Sequence, residues 1–175
     1  MPERAAPTQQ ELESYITDLN NWGRWGADDE MGAMNLITTE KRIAAARLVR
    51  TGKSLSLSRF LPKTPGPGNP TPVQHWMRSH TFDGGGAATD FYGMSFHGMQ
   101  NTHLDALCHV WGGQGIYNGR DPGKEITFDG ANFGSVDKWA DGIVTRGVLV
   151  DVPKFRGEPY VTMDKPLHGW EMEDM

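Results

Sequence analysis

A single cysteine, Cys108, stands in a chain of 175 residues, so no internal disulfide can form and a reducing cytoplasm is the expected setting. No apolar run is long enough to cross a bilayer, which removes a transmembrane helix from the expectations. The opening Met1-Pro2-Glu3-Arg4-Ala5-Ala6-Pro7 is not followed by an apolar stretch, so no secretory signal is expected. Lysine and arginine never gather into a run, and the formal net charge is −5; neither favours a nucleic-acid surface. Repeats and low-complexity tracts are absent. Asp83-Gly84-Gly85-Gly86 is followed by no Lys-Ser/Thr and no helical pattern, so it reads as a turn and not as a phosphate cradle.

What is abundant points to loops. Twenty-two glycines and eleven prolines predict a loop-rich fold, and six tryptophans suggest a site shaped by loops and aromatic walls. Hydrophobic content of 37% with 22% charged residues suits one globular domain spanning 1–175. Thr8-Gln9-Gln10-Glu11 is a capping-box sequence, and Leu12, Tyr15, Ile16 and Leu19 follow at helical spacing, predicting an amphipathic helix over 9–20. A second helix is predicted to be capped by Thr39 and to run to about Arg50, stopped by Gly52. Ser54–Ser58 alternates with period two, as a half-buried strand does. Residues 61–72, with five prolines, read as an irregular connector. Strands are predicted at 75–82 and 90–97, and Arg146–Pro153 reads as a buried strand. The last residues read as the start of a helix.

The chemistry concentrates in Phe96-His97-Gly98-Met99-Gln100-Asn101-Thr102-His103-Leu104-Asp105-Ala106-Leu107-Cys108-His109. His103 and Asp105 are two apart, so on extended chain they share a face. Asp105 and His109 are four apart, so a helical turn after Asp105 would stack them. Imidazole and carboxylate converging on one point make a first shell for a divalent ion, with a further imidazole for proton transfer. Such an ion lowers the pKa of its water from about 16 toward about 7. That chemistry serves hydrolysis of an amide, lactam or lactone, with His109 as the base. The ligand mix suits Mn²⁺ or Zn²⁺ equally. Trp22, Trp25 and Trp111 are candidate walls for a flat small-molecule substrate, although paired tryptophans such as Trp22 and Trp25 are more often core anchors. Asp28-Asp29-Glu30 reads as a solvated acidic cluster. His75 and His80 are five apart, on opposite faces of their strand, and His168 reads as an exposed terminal histidine.

The stretch resembles the metal-dependent hydrolases of the cyclase family, which includes bacterial kynurenine formamidase and isatin hydrolase. Their pattern is His-x-Gly-Thr-His-x-Asp followed, after three residues, by His. Thr102, His103, Asp105 and His109 match in place, whereas Met99 and Asn101 stand at the positions of the first His and the Gly. A two-residue insertion lets His97-Gly98 take those parts. Further matching blocks are Arg24–Glu30 with Asn35–Thr38, then Tyr117-Asn118-Gly119, and Asp141–Leu149. The resemblance implies an α/β fold with a mixed, strongly bent sheet flanked by helices, assembled as a dimer or tetramer. It also implies one divalent ion on His97, His103 and Asp105. Family members run longer, and their second half supplies a further histidine and glutamate. The chain is accordingly expected to be a fragment, a partner of a further polypeptide, or a shortened form. Two rivals to the hydrolase remain. One is a non-catalytic metal-binding module or incomplete half of a larger enzyme. The other is a thiol hydrolase on Cys108, for which the adjacent His109 is a poor base.

Overall fold

In the computed structural model of the protein, residues 5–97 and 101–175 are described. Gly98 and Met99, on which the insertion reading turns, lie outside the described residues, as does the segment 1–4. The chain divides into two compact units, one formed by 1–34 with 51–140 and the other by 35–50 with 141–175.

In the first unit, α1 (Gln9–Asp18) begins at the capping box: the Glu11 backbone N–H donates to Thr8 Oγ1, and the Thr8 N–H donates to the Glu11 carboxylate at 2.6 Å. Two antiparallel strands follow the Pro-rich connector, β1 (Gln74–Phe82) and β2 (Gly85–Gly93), in a register running from Gln74 opposite Gly93 to Phe82 opposite Gly85. Asp83-Gly84 closes this hairpin, and Gly84 takes the positive φ of +80° that glycine supplies without strain. Trp76 stacks on Phe91 and His75 on Tyr92 as cross-strand pairs. A short helix α3 (Pro122–Glu125), capped by Asp121, leads into a small ribbon of β3 (Ile126–Thr127) and β4 (Gly130–Ala131). The unit is centred on Ala106, Cys108, Ile116, Tyr117 and Phe133, with Trp22, Leu107 and Ala131 packed around them. Burying each of the larger side chains contributes about 1.5–3 kcal/mol.

The second unit carries α2 (Thr39–Ala46), α4 (Val152–Arg156) and α5 (Gly169–Asp174). Thr38, not Thr39, caps α2 by accepting from the Lys41 N–H. Asp151 caps α4, and Pro153 sits in its first turn, where a missing N–H costs nothing. Arg156 joins both carboxylate oxygens of Glu171 at 2.8 and 2.6 Å, and it also donates to the Lys165 and Pro166 carbonyls. That fork pins α5 to the end of α4.

Mixed α and β structure is present as expected, but the sheets among the described residues are two antiparallel pairs and not one strongly bent sheet. Neither Ser54–Ser58 nor 146–151 forms a strand, and their apolar side chains lie open: Leu57 is 85% exposed and Leu149 86%. Alternating or β-branched sequence only permits a strand; ladder partners make one, and these segments have none among the described residues. The predicted strand at 90–97 is displaced, with β2 already ending at Gly93.

Candidate metal centre

The core holds the candidate site in place. Ala106 and Cys108 are buried while Asp105 and His109 on either side are exposed, so gripping the first pair presents the second pair together. No helix follows Asp105. A tight turn closed by the His109 N–H donating to the Ala106 carbonyl brings the two side chains to the same place. The Cys108 N–H donates to the Gly134 carbonyl, and the Gly134 N–H donates to Glu30 at 2.7 Å. A side chain on Gly134 would crowd the Cys108 nitrogen, and its φ is +72°, so glycine is required for this clasp.

Three imidazoles converge on one carboxylate oxygen, Asp105 Oδ1. His109 Nδ1 lies 2.8 Å away, His97 Nδ1 3.1 Å and His103 Nε2 3.8 Å. The His97 ring is 4.5 Å from the His109 ring and 5.3 Å from the His103 ring, centroid to centroid. His109 donates its Nδ1–H to Asp105, which leaves its Nε2 unprotonated when the ring is neutral. His103 donates its own Nδ1–H to the Asn101 carbonyl at 2.9 Å, which likewise leaves Nε2 as the nitrogen facing Asp105. The hydrogen bond from His109, joined by the charges of His109, His97 and His103, holds the Asp105 carboxyl below its ordinary range against partial desolvation. Thr102 Oγ1 accepts the Arg59 N–H, tying the segment to the neighbouring extended chain.

The donor set fits a divalent ion. Ligand atoms about 2.1 Å from a tetrahedral ion lie about 3.4 Å apart, and the separations of 3.1 and 3.8 Å from Asp105 to His97 and His103 bracket that value. His97, Asp105 and His109 could hold a metal ion: each offers a ligand atom, all within 4.8 Å of one another. His103, a ligand on the sequence reading, stands just outside that tight group.

The tryptophans are more dispersed in role. Trp22 packs against the core, Trp25 lies under the Arg24 guanidinium at 4.9 Å, and Trp111 is half exposed. Cys108 is buried, and burial pushes its thiol up, with the Asp105 charge adding to the effect, which argues against a thiolate nucleophile. His75 is engaged elsewhere, donating to Asp90 at 2.6 Å and meeting Lys63. His168 stacks on Trp170 in the second unit.

Sequence reasoning passed over the acidic trio, which is structural. Asp29 accepts from Tyr117 Oη at 2.9 Å and from the Gly32 N–H, Asp28 pairs with Arg120, and Glu30 meets Lys138. Burial, with the Asp29 hydrogen bond, pushes the Tyr117 phenol up to about 12. Asn118 joins the same loop, accepting from the Gly23 N–H and donating to the carbonyls of Gly26, Ala27 and Asp29. Two of the motif blocks are therefore bonded to each other, Arg24–Glu30 and Tyr117–Gly119. The available signal was the turn dipeptide Asn118-Gly119, and both residues take positive φ, +59° and +70°.

A crystal structure described as that of a novel cyclase superposes with a TM-score of 0.70 and 35% sequence identity, over 79% of this chain and 50% of its own. The chain is thus similar in fold and in sequence to a cyclase. The chain spans about half the length of this cyclase. No protein-family model matches the chain, and no curated protein does. Among the described residues, no helix is long and apolar enough to cross a membrane.

Proposed function

We propose that the protein is a metal-dependent hydrolase of small amides, lactams or lactones. The observation that carries this reading is the gathering of three imidazoles around Asp105 Oδ1. In this reading His97, His103 and Asp105 hold one divalent ion, Mn²⁺ or Zn²⁺. When bound, the ion supplies Lewis acidity, acidifying a water and polarising a carbonyl.

The chain's own residues do the rest. His109 takes a proton at Nε2, on the side opposite its bond to Asp105, and returns it to the leaving nitrogen or oxygen. Asp105 orients that ring through Nδ1–H and stabilises the imidazolium that forms. The Asn101 carbonyl keeps the Nε2 lone pair of His103 available. Trp22, Trp25 and Trp111 are the walls proposed for a flat substrate. A homo-oligomer in the cytoplasm, completed by further polypeptide, is the setting proposed for this site.

A second assignment has an observation in its favour. His109 belongs to the tight group with His97 and Asp105, so it could ligate in place of His103. Two measurements separate the readings. The first is turnover of aryl formamides, isatin-like lactams and lactones, with and without added Mn²⁺ or Zn²⁺. Metal-dependent turnover is expected; a fully metallated protein inert across that panel would be a binding module and not an enzyme. The second is the metal content of His109→Gln. Retained metal with turnover lowered about 100-fold or more marks a base, whereas loss of both marks a ligand.

A further inference from the structure

Asn101 stands where the resembled motif has glycine, and its side chain makes a contact that no glycine could. Its side-chain Nδ2 donates to the Ser95 carbonyl at 3.2 Å, a bond between residues six positions apart with His97 between them. Its own backbone carbonyl accepts the Nδ1–H of His103 at 2.9 Å. The side-chain oxygen Oδ1 is buried and finds no hydrogen-bond partner among the described residues. A buried, unpaired carbonyl is costly, so a side chain that served only to fill space would be better replaced by an apolar one.

We propose that Asn101 is a positioning residue, whose amide anchors the loop to Ser95 so that its carbonyl holds His103 in the Nδ1–H tautomer, with Nε2 turned to Asp105. The inference rests on the metal-site reading for its purpose, but its geometry stands without the ion. A neutral imidazole in solution chooses between two tautomers, and only one presents Nε2 as a lone pair. A carbonyl held at Nδ1 makes that choice before any ligand arrives. The amide sets where the carbonyl sits. Without the tie to Ser95 the carbonyl is free to swing, and the His103 ring loses its guide. His97, two residues from Ser95, is anchored by the same bond.

The test is nitrogen NMR of the imidazoles in the metal-free full chain at pH about 8, above the ordinary histidine pKa, with His103 assigned by comparison with His103→Gln. The wild type is expected to show a pyrrole-type Nδ1 and a pyridine-type Nε2. In Asn101→Ala the two shifts should move toward each other as the tautomers mix. Asn101→Asp keeps the shape, removes the donor, and should behave like the alanine variant; it carries the test should Asn101→Ala not fold. Mn²⁺ affinity of Asn101→Ala should fall by about 10-fold or more. An unchanged His103 tautomer in the variants, or a Mn²⁺ affinity of Asn101→Ala within twofold of a wild type that does bind it, would overturn the proposal. A wild type that binds no Mn²⁺ or Zn²⁺ would defeat the hydrolase reading while the tautomer comparison still decides the role of Asn101.

Discussion

Asp105 is the residue on which the candidate site turns, because each of the gathered imidazoles is placed relative to its Oδ1. Asp105→Asn keeps the shape, removes the charge, and substitutes a weaker acceptor. Cation affinity measured by Mn²⁺ titration is expected to fall more than about 100-fold, beyond the loss typical of an outer-shell change. The melting temperature should hardly move, since the side chain is 45% exposed and covers no core. Much at this scale was legible in the sequence. The spacing of His103, Asp105 and His109 already implied convergence, although the turn at 106–109 and not a helix achieves it. His97 could be reached only through the motif and its insertion. The Asn101 carbonyl that orients His103 was not legible, because a backbone acceptor leaves no mark on residue identity. Nor was the structural role of Asp28, Asp29 and Glu30, whose partners lie about ninety to a hundred positions away.

At the scale of elements, the loop of 23–32 and the turn at 117–120 form one unit through Asn118. Asn118→Ala removes hydrogen bonds to four backbone groups and leaves a β-carbon at positive φ without compensation. Urea unfolding should show a loss of about 2–3 kcal/mol. Asn118→Gly, which relieves the φ and still loses the bonds, should recover only part of it. In the second unit, the Arg156 hydrogen bonds bring the Glu171 carboxyl down to about 2, from about 4.3 in unfolded chain. A lowered carboxyl pKa means that the folded state binds the proton less readily. The pair therefore contributes fully above about pH 4.3, and its contribution is lost as pH falls toward 2. Acid unfolding followed by circular dichroism should be shallower between those values in Glu171→Gln. The starts of α1 and α2 were readable in sequence, because the caps at Thr8 and Thr38 are local chemistry, whereas α4 begins at Asp151 inside a stretch that reads as strand. Strand partners were not, and so 54–58 and 146–151 carry strand-like sequence without forming strands.

At the scale of the whole molecule, sequence patterns support only a mixture of helix and strand; the superposition on a cyclase adds the family likeness, over half of that protein's length. The net charge of −5 and the carboxylate at the centre suit a cation at the site. The proposed chemistry requires an ion at Asp105. The most direct measurement is anomalous diffraction from crystals of the protein grown with Mn²⁺, recorded near the manganese edge. A single strong peak within about 2.0–2.3 Å of Asp105 and at least two of His97, His103 and His109 is the expected result. Well-ordered imidazoles closed around Asp105 with no peak among them, at saturating Mn²⁺, would contradict it.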